Sequence, residues 1–251
     1  MKKSQTTYSL ATLDSPTFTG IRELTKEEYD RYVNHIQTLT KYSTNQHLFK
    51  IVELNYTDFI TKLNDYLEIY NESPGADMAE FEHLYLDLNR YILNILSSVR
   101  TFLDHSETRL KREYGAESEE YKLFKLETSQ AYDNNFAYRF LEKLRNFAQH
   151  CGLPSGNVEI TSSGDENGNT VNKLTLFFDR ENLLSRFDRW GNPVKSELSE
   201  LEEKFEVVPL IKEKNELLKS INSKLAAKEL SKYKLEGDEL MNLILETEGK
   251  G

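Results

Sequence analysis

The chain reads as a mainly α protein: an up-and-down helical bundle with a small β-hairpin insertion and a helical C-terminal extension. Three observations predict this class. Hydrophobic residues make up 38% and charged residues 29% of 251 positions, a balance suited to long, half-exposed helices around a slim core. Eleven glycines and five prolines interrupt the chain rarely. Apolar residues also recur three and four positions apart over most of its length.

Taken in order, residues 1–24 are Thr/Ser-rich and read as an irregular segment. Thr25 followed by Glu28 forms a capping box that opens a helix with Tyr29, Tyr32, Val33, Ile36 and Leu39 on one stripe. The stretch "HLFKIVEL" (47–54) is ambiguous in pattern, and its Phe49, Ile51 and Val52 admit a short strand. Asn55 with Asp58 then opens a second helix, which "NESPGAD" (71–77) breaks. From about Asp77 to Tyr114 a long helix carries Leu88, Ile92, Ile95, Val99, Phe102 and Leu110 as its core stripe, and Gly115 ends it. Ser118 starts the next stretch, with an interruption expected at "YDNN" (132–135). Its second half buries Phe136, Phe140, Leu144, Phe147 and Cys151, and Gly152 and Pro154 stop it. Residues 157–179 read as a hairpin around a Gly/Asp/Asn-rich turn. Beyond Ser196 the chain is Glu/Lys-rich and helical, broken at Pro209, with Leu217, Leu218, Ile221 and Leu225 on one face. Gly237–Asp238 is expected to separate a short last helix. The implied organisation is an N-terminal segment (1–24), a bundle (25–155), a hairpin (156–180) and a C-terminal helical region (181–251) packed on the bundle or a partner.

Bulk properties exclude several classes. A net charge of −10 does not suit a protein that coats nucleic acid by bulk electrostatics. The single cysteine, Cys151, forms no intrachain disulfide and fits a reducing, cytoplasmic setting. The N-terminus lacks the apolar core of a signal peptide, and no stretch approaches the ~20 apolar residues that span a bilayer, so no membrane association is expected. His35, His47 and His83 show no ligand spacing. Neither a P-loop nor G-x-G-x-x-G nor G-x-S-x-G is present, and no metal or cofactor is expected.

One polar cluster stands out where the 136–151 helix ends: Arg145, Asn146, Gln149 and His150. Four-residue spacing stacks Asn146 under His150 and Arg145 under Gln149. Arg145 and His150 lie about 140° apart around the axis. An arginine grips phosphate through paired hydrogen bonds, and a histidine carries protons near neutral pH. Together they meet the needs of metal-free phosphodiester chemistry. Spacing alone is weak support: eleven arginines and five histidines predict about 0.2 Arg-x4-His pairs by chance, and the chain holds two, the other being Arg100/His105.

The segment "LRNFAQHCGLP" (144–154) resembles the R-x4-6-H signature of the HEPN superfamily (higher eukaryotes and prokaryotes nucleotide-binding domains), in which a polar residue, often Asn, follows the Arg, as Asn146 does here. Helical order over 25–152 is similar as well. Where some toxins of the family carry H-x-Y, this chain has Gly152. The resemblance implies a helical bundle with metal-independent endoribonuclease activity in an antiviral defence or toxin system. It casts His150 as general acid or base, Arg145 as the stabiliser of phosphate charge and Asn146 as an orienting group. It also implies a homodimer whose two half-sites meet in one cleft, RNA as substrate, and a neutralising or activating protein partner. The alternative is a non-catalytic HEPN-like module that binds a nucleotide, RNA or partner protein.

Arg100, Asp104 and His105 form a second group, with Arg100 and Asp104 spaced for an intrahelical ion pair. If Gly115 joined two straight antiparallel helices, residue 145 would face residue 87. Arg100 would then lie ~20 Å away along the axis. Contact within one chain would require a break at "YDNN".

Overall fold

The computed structural model describes residues 6–14, 16–72, 78–154, 156–167 and 169–248, with the backbone alone at 78–82. The fold is mainly helical, with a β-hairpin at 156–179 and helices at the C-terminal end, as the sequence predicts. It divides into two compact units: Met1–His47 with Ala226–Gly251, and Leu48–Leu225. Among the described residues no helix is long and apolar enough to cross a membrane.

In the first unit, β1 (Tyr8–Asp14) and β2 (Thr17–Leu24) pair antiparallel with a bulge at Leu10/Ala11. Residues 8–24 are thus a hairpin, not an irregular segment. Among the described residues of this stretch no side chain is buried, so they carry little of the inside–outside alternation from which strands are recognised. The capping box forms as expected. Glu28 accepts from the Thr25 amide at 2.8 Å, and Thr25 Oγ1 accepts from the Glu28 amide at 3.1 Å, starting α1 (Lys26–Glu72). Arg22 bridges Glu28 and Glu246, while Arg31 and His35 share Glu239. The end of α7 (Val208–Leu230), a 3-10 turn (Ser231–Tyr233) and α8 (Lys234–Leu245) complete the unit. Gly237 lies inside α8 and separates nothing.

The second unit begins within α1, where the ambiguous stretch 47–54 is helix and not a short strand. Phe49, Val52, Phe59, Leu63 and Tyr66 are buried at helical intervals while Ile51 and Leu54 are exposed. That pattern has a period near 3.6, not 2. Asn55 and Asp58 are interior to the helix and cap nothing. The expected break at 71–77 falls largely outside the described residues. Helix α2 (Met78–Glu113) buries its whole predicted stripe, Leu88, Ile92, Ile95, Val99, Phe102 and Leu110. Gly115, at φ 92°, turns the chain. The Ser118 side chain then caps α3 (Glu119–Asn134) through the Tyr121 amide at 3.2 Å.

Extended backbone at Asn135 separates α3 from α4 (Phe136–Cys151), at the expected interruption. Of the predicted apolar face of α4, Phe140, Leu144 and Phe147 are fully buried, while Phe136 and Cys151 are half-buried. Ala137, Tyr138, Arg139 and Leu141 are buried too, which makes α4 the central helix, packed against α2, α3 and α6 (Asn192–Glu200). Gly152 follows at φ 91°, in the left-handed region glycine favours. Strands β3 (Gly156–Gly164) and β4 (Thr170–Asp179) form the predicted hairpin, joined by a short third strand, β5 (Lys204–Glu206), in the order β3-β4-β5. Between β4 and α6 runs α5 (Arg180–Arg186). Pro209 sits in the first turn of α7, where its missing N–H costs nothing.

Trp190 decides how the α5–α6 region attaches. Its ring is 1% exposed and stacks on Phe140 and Phe147 of α4, each at 5.8 Å, with Phe187 edge-on at 5.2 Å. Its indole N–H donates to the Leu183 carbonyl at 3.1 Å.

Arg139 holds the α3–α4 break. Its guanidinium donates to the Tyr132 and Asp133 carbonyls at the end of α3 and to Glu197 of α6. Helix ends leave carbonyls without intrahelical partners, and buried ones are costly when unpaired. Arg139→Ala is expected to lower unfolding free energy by about 2–4 kcal/mol. Arg139→Lys should recover little, since an ammonium lacks the planar fork. Urea denaturation followed by circular dichroism measures both.

Candidate functional site

On α4, the face that does not pack on Trp190 carries the polar residues singled out in the sequence. With Phe140, Leu144 and Phe147 committed to the interior, residues 142, 143, 145 and 146 are half-buried. They open onto a pocket of about 300 Å³ lined by Arg145, Asn146, Glu142 and Lys143 of α4, Leu96 and Arg100 of α2, and Lys214 of α7, among others. Arg145 makes no hydrogen bond or ion pair among the described residues, and its Nε is buried without a partner. A buried donor left unpaired carries its full desolvation cost.

Arg100 joins Arg145 and Asn146 at this pocket, so the straight-rod register of ~20 Å does not hold. The break at Asn135 frees α4 from the axis of α3, and the Arg100 and Arg145 side chains line the same pocket. Asp104 pairs with Arg100 at 2.7 Å, the expected intrahelical contact, and lines a different cavity, of about 700 Å³, with Glu107, Lys111 and Arg112. His105 is exposed and lines neither.

His150 is not brought to the pocket. It is exposed in the last turn of α4, as is Gln149. Five residues of helix rotate it about 140° from Arg145, and α4 continues without a break to Cys151. The helix end beyond it is fastened by Arg186, which donates to the Cys151 carbonyl and lies over the Phe147 ring at 5.2 Å. A cation at a helix C-terminus is favoured by the exposed carbonyls.

Lys214 was missed in the sequence. It is 4% exposed, with its Nζ 4.8 Å from the Tyr138 ring centre and a long, 3.4 Å hydrogen bond to the Tyr138 carbonyl. The signal was available: Lys214 stands three residues after Ile211 and four before Leu218, in register with the apolar stripe that continues to Ile221 and Leu225. Burial pushes its amine down to about 8, with Glu142 pulling upward and Arg100 adding to the depression. Burial likewise raises the Tyr138 phenol, helped by Glu142 and opposed by Arg100. These mutual influences place Arg100, Tyr138, Glu142 and Lys214 in one electrostatic neighbourhood. Lys143 and Glu142 were missed as well, for a plainer reason: on a solvated helix face in a chain with 29% charged residues, nothing marks them.

Lys143, Arg145 and Lys214 form no ion pairs among the described residues. Arg100 is neutralised by Asp104, and among the described residues Glu142 is the one carboxylate lining the pocket. Three free cations against one carboxylate leave two net positive charges, on a chain whose overall charge is −10. No family model, curated protein or solved structure matches the chain. Guanidinium and ammonium groups with an amide beside them are donors of the kind that suits an anion.

The buried lysine has a stability consequence. Its folded pKa, about 8, lies below the unfolded value near 10.5. Between those pH values the unfolded chain holds the extra proton, so stability rises with pH across that window, and the penalty is full below pH 8. Lys214→Met is accordingly expected to stabilise the protein at pH 7 by about 3 kcal/mol, a gain that disappears by about pH 10.5. Denaturation midpoints measured at pH 7 and pH 10 test the sign.

Proposed function

We propose that this chain is a metal-independent endoribonuclease of HEPN type, acting as a homodimer in a cytoplasmic antiviral defence or toxin system. The observation that carries the reading is the unpaired Arg145 beside Asn146 in a pocket with net positive charge, within an acidic protein. An RNA phosphate seated there would meet the guanidinium that must stabilise charge building on phosphorus. His150, exposed on a different side of α4, would act on the 2′-hydroxyl or leaving oxygen of a strand held by a second copy. That arrangement supports a site shared between two chains. A protein partner would then act by covering or completing the shared cleft.

A second reading has its own observation: among the described residues no histidine lines the Arg145 pocket. In that reading the module binds a nucleotide, RNA or partner protein without cleavage. The two part on turnover. Purified protein is expected to cleave RNA in EDTA. His150→Ala should lower the rate by about 10²–10⁴ with its helical circular dichroism intact, and Arg145→Ala should do likewise. RNA left intact by wild-type protein, with binding still lost in Arg145→Ala, would favour the second reading. Light scattering should give twice the chain mass if the shared site forms.

A further inference from the structure

The charge pattern of the pocket carries a more specific conclusion than affinity for nucleic acid. Among the residues lining it, the free charges are Lys143, Arg145 and Lys214 against Glu142, a balance of +2, with Arg100 tied to Asp104. Lys214 is buried with one long hydrogen bond, 3.4 Å to the Tyr138 carbonyl, and no anionic partner among the described residues, while Arg145 Nε is buried and unpaired. Internal RNA phosphates are diesters and carry one charge each. A phosphate monoester carries close to two near pH 7 and offers three oxygens to donors. Leu96, Val99, Leu141 and Tyr132 also line the pocket and supply apolar surface for whatever the phosphate is attached to. A volume of about 300 Å³ exceeds what one phosphate fills and reaches the lower end of small-ligand sites.

We propose that this pocket is a binding site for the phosphate monoester of a small molecule, held between Arg145 and the buried Lys214, with Asn146 donating from the side. The proposal goes beyond the ribonuclease reading. It concerns what the pocket holds at equilibrium, and such a ligand would compete with an RNA strand for Arg145.

Affinity should follow a bell in pH. It rises through about pH 6 as the monoester loses its second proton. It falls above about pH 8 as Lys214 loses its own. The groups facing Lys214 are Arg100 from α2, Tyr132 from α3, and Tyr138, Glu142, Lys143 and Arg145 from α4. Burial keeps the Tyr138 phenol from ionising in this range, and the arginines hold their charge throughout. Lys214 therefore sets the descending limb.

Calorimetric titration of the full chain with inorganic phosphate, AMP, adenosine and the dinucleoside diester ApA tests this. Phosphate and AMP are expected to bind, adenosine not to, and ApA at least tenfold more weakly than AMP. Arg145→Gln and Lys214→Met should each weaken AMP at least tenfold while keeping the helical circular dichroism. In Lys214→Met the fall above pH 8 should vanish. Equal affinity for AMP and ApA would overturn the proposal, as would absence of binding by AMP and phosphate, or AMP binding indifferent to both substitutions. No RNA turnover is read, so failure of the ribonuclease reading leaves this result independent.

Discussion

The Arg139 guanidinium is the constraint on which the site depends. It terminates α3 by taking the Tyr132 and Asp133 carbonyls, and it holds α6 through Glu197. A continuous α3–α4 rod would have carried Arg145 far from Arg100. With the rod broken at Asn135 and its loose carbonyls satisfied, α4 becomes a separate central helix whose polar face meets α2 and α7. Guanidinium is suited to this place because one planar group can serve two carbonyls and a carboxylate together.

The opposed faces of α4 have opposite energetics. One side stacks Phe140 and Phe147 on Trp190, an arrangement in which burial and ring geometry act together. The other side gathers like charges, one of them on a buried lysine, against which desolvation and mutual repulsion both work. Natural proteins keep such unfavourable groups chiefly where a ligand uses them. The aromatic side therefore offsets what the cationic side costs, and the pocket is affordable because Trp190 sits behind it.

Much of the helical framework was legible from periodicity. The α2 stripe, the Thr25/Glu28 box, the Ser118 cap, the interruption before Phe136 and the turn at Gly152 follow from local rules of spacing and capping. What escaped follows from the limits of those rules. "HLFKIVEL" is rich in β-branched and aromatic residues, yet lies inside a 47-residue helix, because tertiary burial of Phe49 and Val52 outweighs intrinsic preference. Strands β1 and β2 pair with no buried side chain, leaving no alternation to detect. At the site, Arg145 and Asn146 were visible as a motif, whereas His150 was grouped with them by spacing although the helix turns it away. Lys214 comes from 69 positions further along and enters only through the packing of α7 on α4.

Trp190 is the sole tryptophan of the chain. Its indole lies in van der Waals register with two rings of α4 and is closed to solvent. Emission from the protein excited at the red edge of its absorption therefore comes from one chromophore lodged against the central helix. Any rotation or lift of α4 that accompanies occupancy of its far side would change the polarity and quenching around that indole. The molecule has a built-in optical gauge of the helix that bears its cations, with no label to attach.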